Sequence, residues 1–132
     1  LVGQTWTTFT DVAAAPATLD FEGSVSAVNR RQAQVRWTEH VFNDNTTFAV
    51  SVEDSNFIIE PPQGITGEPR SPSPDFVTRL RYENDCGQYQ VAGLYRVVGF
   101  QPTGQDVVTS FAYGFNFTGI SKYMNSKARR LK

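Results

Sequence analysis

Residues able to do chemistry are scarce in this chain: it has one histidine, His40, and one cysteine, Cys86. A histidine-based metal centre takes two or three histidines, and zinc sites without histidine take several cysteines. No metal and no cofactor is therefore expected. A serine or cysteine nucleophile would have to use His40 as its base, yet no serine stands in the G-x-S-x-G turn that exposes such a nucleophile. Cys86 falls in Asn84-Asp85-Cys86-Gly87, a turn sequence, and has no partner for an intramolecular disulfide. It reads as an inert thiol, with a reactive surface thiol or a bridge to a second copy as the alternatives.

Carboxylates are the remaining catalytic route, because a β-jelly-roll can hydrolyse glycosides with two acids roughly 5 to 10 Å apart. Glu39 alternates with Val35, Trp37 and Val41, so it is the one acid expected in apolar surroundings, where burial would raise its pKa. No second acid can be assigned beside it. The expectation is that the protein is not an enzyme and has no catalytic residues, with a carboxylate glycosidase as the third-ranked reading. Asp44, Asp54 and Asp85 have Asn43, Asn45, Asn56 and Asn84 beside them, without the ligand spacing of an EF-hand. Turn capping by Asx side chains accounts for them. Asn45-Thr46-Thr47 and Asn116-Phe117-Thr118 match the glycosylation acceptor pattern, the second inside an expected strand.

Charge is more informative. The net charge is −1, but Lys122, Lys127, Arg129, Arg130 and Lys132 cluster at the end with no acid, and the protein has no other lysine. An acidic body over residues 1–120 thus carries a basic tail over 121–132. Such a tail can neutralise phosphates of a nucleic acid with a steep salt dependence. It can equally bind the acidic body of a neighbouring copy, or remain a solvated end. Arg30, Arg31, Arg36, Arg79 and Arg81 make a candidate second basic patch if their strands are neighbours.

What must position these residues is a set of strands. Period-2 alternation dominates the 132 residues. Residues 107–118 place Val107, Thr109, Phe111, Tyr113, Phe115 and Phe117 on one face. Residues 75–82 and 88–100 alternate similarly and are rich in β-branched and aromatic types. The runs flanking Asn43-Asp44-Asn45 between 34 and 53 predict a hairpin. Further strands are expected near 4–10, 18–28 and 55–60. About eight short strands give an all-β, antiparallel β-sandwich or jelly-roll-like domain. The Phe111 to Phe117 stripe, Trp37 and Phe48 are the expected core. Residues 61–74 hold five of the seven prolines and read as a long loop rather than a central strand.

One domain of 14.7 kDa can bury a sizeable core without staples. No run is long enough for a helical membrane span, and the N-terminus lacks the features of a signal peptide. A start at Leu1 rather than Met points to a processed or excised chain. The single cysteine leans towards a reducing compartment. Lysine is a common guard on exposed sheet edges, and the body has none, so either loops cover the edges or other subunits do. The expected function is a structural, self-assembling subunit and homo-oligomer, most concretely a viral coat or coat-surface domain with a basic tail for nucleic acid or intersubunit contact. A virion or cytoplasmic assembly fits this better than secretion. The alternative is a secreted or surface recognition domain that binds a carbohydrate or receptor through the 61–74 loop and through Trp6, Tyr82, Tyr89 and Tyr95.

Overall fold

The computed structural model describes residues 1–14, 30–55, 57, 61 and 63–121. Seven strands in one antiparallel sheet make up nearly all of it: β1 (Val2–Trp6), β2 (Arg31–His40), β3 (Thr46–Glu53), β4 (Gly67–Pro69), β5 (Asp75–Asn84), β6 (Gly87–Pro102) and β7 (Val108–Ser121). The only other regular element described is a 3-10 turn over Val12–Ala14. Among the described residues no helix is long and apolar enough to cross a membrane.

The sheet runs β1-β2-β3-β5-β6, with β7 on the far side of β6 and the short β4 pairing the end of β6. Two tight turns set the registers. Asn43 Oδ1 accepts from the Asn45 N–H at 3.1 Å and from the Thr46 hydroxyl at 2.8 Å. Asn84 Oδ1 accepts from the N–H groups of Cys86 and Gly87 at 3.0 and 2.9 Å. Both are Asx turns, as the sequence predicts, in which a side chain takes the place of backbone acceptors. Gly87 is needed because a Cβ there would collide with the Ile120 carbonyl on β7.

Several expectations change. The described residues form one sheet, so the all-β class holds but the second layer of a sandwich is not among them. The Pro-rich 61–74 stretch contains a strand after all, β4, three residues long and confined to a short pairing with Phe100–Pro102. Pro69 is tolerated there because a strand paired on one side only does not need every N–H. The expected strand at 18–28 and most of that at 55–60 lie outside the described residues.

The largest correction concerns the core. Phe111, Tyr113, Phe115 and Phe117 are 73, 79, 81 and 74% exposed, and Trp37 is 56% exposed. Phe48 is half-buried against the edge of the Trp37 ring. The fully buried side chains are instead Val77, Ala49 and Ala92 together with polar ones, among them Gln90, Glu53, Asp75, Ser51 and Thr8. Register explains the inversion. Gln34, Glu53 and Asp75 are aligned across β2, β3 and β5, so one face of the sheet carries the buried polar groups, with the small core residues Ala49, Val77 and Ala92 among them. Residues 7–14 cross over that polar face, and no described residue packs over the aromatic one.

Candidate functional site: a strapped polar face and an open aromatic face

The polar face is organised around Glu53. Its carboxylate accepts from Thr7 Oγ1 at 2.6 Å, the Thr8 backbone N–H at 2.8 Å and Ser51 Oγ at 2.6 Å, and also from Gln32 Nε2. Burial alone would push this carboxyl up. The hydrogen bonds from Ser51, Thr7 and Thr8 together outweigh it and hold the pKa below its ordinary value. Gln34 adds to the latch, accepting from Thr8 Oγ1 at 3.1 Å and donating to the Trp6 carbonyl at 2.7 Å. Further along, Asn116 Nδ2 donates to the Phe9 carbonyl at 2.9 Å, and Gln88 Nε2 donates to Asp11. Residues 7–14 are thus a strap bonded to β2, β3, β6 and β7.

Charged groups on this face fall into two sets. Asp75 is fully buried and takes a two-pronged bond from Arg96, with Nε to Oδ1 at 2.8 Å, while the guanidinium lies 5.7 Å from the centre of the Phe57 ring. Arg36, Arg79 and Arg81 form the second set. Their strands are neighbours: Arg36 lies opposite Ser51, and Arg79 and Arg81 lie opposite Ala49 and Thr47 of the same strand. Arg81 is engaged, bonding Gln88 Oε1 at 2.6 Å and Glu83 at 3.1 Å with Asp11 at 3.9 Å. Arg79 is not, and its buried Nε has no hydrogen-bond partner among the described residues. Burial, and then repulsion by Arg36 and Arg81, lowers its pKa despite the attraction of Asp11 and Glu53. Arg79 and Arg81 line an open hollow of about 420 Å³ with Thr38, His40, Asp44, Asn45, Thr47 and Glu83. Gln90, 1% exposed, and Thr118 opposite it also keep polar side-chain atoms without partners among the described residues.

Of the five arginines considered as a patch, Arg36, Arg79 and Arg81 lie on neighbouring strands. Arg31 starts β2 opposite Trp6, on the aromatic side by strand alternation, and Arg30 precedes it, giving its carbonyl to the Thr7 N–H at 2.9 Å. Lys122, Lys127, Arg129, Arg130 and Lys132 lie outside the described residues. Glu39 is exposed and faces Phe48 across the ladder, not a second carboxylate, so its expected burial does not occur. His40 is exposed at the end of β2. Cys86 is exposed in its turn. Asn45 is exposed, whereas Asn116 is half-buried and holds the strap.

The opposite face has no counterpart to that polar network. Tyr82 and Tyr89 are paired across β5 and β6, and Tyr95 stacks on Phe111 with ring centres 5.9 Å apart and planes inclined at 24°. Tyr113 meets Phe115 edge-on at 6.2 Å. Val35, Trp37, Val52, Phe76, Leu80 and Val91 continue the same surface and are all exposed. The tyrosines considered for recognition therefore sit on strands, as part of a continuous apolar sheet face, and not on loops. No sequence signal foresaw that the aromatic side, not the polar side, would be open, because alternation is identical in either case. The chain matches no known protein family, no curated protein and no solved structure.

Proposed function

We infer that the protein is a structural subunit that assembles with copies of itself, and that its aromatic face is the principal contact. The single observation that carries this is the exposure of Phe111, Tyr113, Phe115 and Phe117 as one row on a face that no described residue covers. Soluble monomers rarely leave an apolar patch larger than a few hundred Å² in water. Aromatic side chains bury roughly 150–250 Å² each, so this row alone offers about 600 Å² per copy. Two such rows packed together reach about 1,200 Å², the lower end of stable interfaces.

A second copy is the best-matched occupant. The aromatic row carries no charge and no ion-pair partner for a charged ligand, and two copies related by a two-fold axis would each bury the same apolar surface. In a coat-like shell the Arg36, Arg79 and Arg81 face would be left for a polyanion or for a neighbour's acidic surface. The test is solution mass by light scattering at about 100 µM, for the native chain and for a variant with Phe111, Tyr113, Phe115 and Phe117 all changed to Ser. A discrete multimer that becomes monomeric in the variant supports the reading. A native monomer overturns it and moves attention to receptor or glycan binding.

A further inference from the structure

We propose that β7 is a self-pairing edge: two copies join β7 to β7 in antiparallel fashion about a two-fold axis at Gly114, making one continuous sheet. This rests on the self-assembly reading and specifies the contact through which a pair forms. β7 runs 14 residues, Val108–Ser121, and is paired with β6 at every one of them, so it is extended and free of bulges. Its other edge is unpaired among the described residues. Proteins guard such edges with lysine, proline, bulges or a covering segment, because the open N–H and C=O groups are a template for another strand. β7 has no charged residue and no proline. The opposite edge of the sheet, β1, is only five residues long, so a β1-to-β7 joint would leave most of β7 open.

The register follows from the side chains. A two-fold axis perpendicular to the sheet keeps both aromatic faces on the same side, and a strand pairing with itself must then place residues of like parity opposite each other. Centring on Gly114 sets Phe111 against the partner's Phe117 and Tyr113 against the partner's Phe115. All four aromatics of each copy then have an aromatic neighbour across the joint, one of the pairings that stabilise a pleated surface. On the polar side the same register pairs Ser110 with the partner's Thr118 and Ala112 with the partner's Asn116. Gly114 meets its own copy at the axis. Thirteen paired residues supply about a dozen backbone hydrogen bonds, comparable with the roughly ten of a standard interface. Edge pairing leaves the aromatic face itself open and doubles its width, so it adds to face-to-face contact instead of competing with it. Two distinct isologous contacts on one subunit let an assembly grow beyond a dimer.

Residues opposite each other in an antiparallel pair have Cα atoms about 4.5–5.5 Å apart, within the range a disulfide spans. A Cβ at Gly114 is tolerated, its nearest neighbour being a Phe9 ring carbon at 3.5 Å. In a Cys86→Ser background, Gly114→Cys should give a near-quantitative disulfide dimer under mild oxidation. Ala112→Cys should give none, because its own copy then lies about 13 Å away. Should the Gly114 variant fail to fold, Phe111→Cys and Phe117→Cys variants provide a second readout, cross-linking when mixed and not alone. A multimer by light scattering in which Gly114→Cys stays reduced and the β7 amides exchange at unpaired rates overturns the β7 joint and leaves self-assembly intact. Cross-linking through Ala112→Cys overturns the register. A strict monomer overturns both.

Discussion

The Thr8 backbone N–H donates to Glu53 Oε1 at 2.8 Å, joining residues 45 positions apart in sequence and fixing the strap to the middle of the sheet. Glu53 is 1% exposed, so its four donors have no water to fall back on. Glu53→Ala is expected to cost about 2–4 kcal/mol, because it leaves buried neutral donors without their acceptor. Chemical denaturation measures it, and a loss under about 1 kcal/mol would show the latch to be ornamental.

The same carboxylate sets an acid limit. Its folded pKa lies below the ordinary 4.5, so the stabilisation is complete above that value and is lost as pH falls from there through the lower folded pKa. Native protein should therefore lose stability as pH falls below about 4.5. Glu53→Gln should flatten that part of the profile while lowering stability at neutral pH.

Asp75 and Arg96 provide a second buried bond of the same kind. With Asp75 fully inaccessible and the Arg96 side chain 21% exposed, Asp75→Ala strands a guanidinium that has little access to water. A loss of about 3 kcal/mol is expected. Replacing both residues by apolar ones of similar volume should restore much of it, and a double-mutant cycle reads the difference.

Arg79 should behave in the opposite way. Its Nε is buried without a partner among the described residues, and Arg36 and Arg81 repel it. Arg79→Met keeps the packing of the stem and removes the unpaired charge, so stability should rise by about 0.5–1 kcal/mol. If the face binds a polyanion, the same variant should weaken retention on a phosphate-bearing column and reduce its salt dependence.

Phe42 has φ = 65° at the β2–β3 turn and is 94% exposed. The Asn43 N–H bonds the Val41 carbonyl at 2.8 Å, closing a three-residue turn around it. A left-handed backbone costs a non-glycine residue about 1–2 kcal/mol. Phe42→Gly should raise the melting temperature by a few degrees, after allowing for the entropy glycine loses on folding. A fall in melting temperature would mean that the ring makes contacts worth more than the strain.

How far the sequence could be read differs between elements for a reason. Strands β2, β3, β5, β6 and β7 and the turns at Asn43 and Asn84 were legible because alternation and Asx chemistry are local. β4 was not, since three residues around Pro69 carry no periodicity and exist as a strand only because Phe100–Pro102 lies alongside. Arg36, Arg79 and Arg81 share parity within their strands, but bringing them together needed the β2-β3-β5 order, which is a matter of tertiary pairing.

By itself the sequence determined which residues share a face: the 2.0-residue period puts Phe111, Tyr113, Phe115 and Phe117 on one side and Ser110, Ala112, Asn116 and Thr118 on the other, whatever the strand pairs with. Only the tertiary structure decided which face is covered. Residues 7–14 carry Thr7, Thr8 and Asp11, whose polar groups find Glu53, Gln34, Gln88 and Arg81 on the polar side and would meet mainly Phe, Val and Leu side chains on the aromatic one. Satisfying those buried groups fixes where the strap lies, and it leaves the aromatic face open because the strap cannot lie on both sides of one sheet.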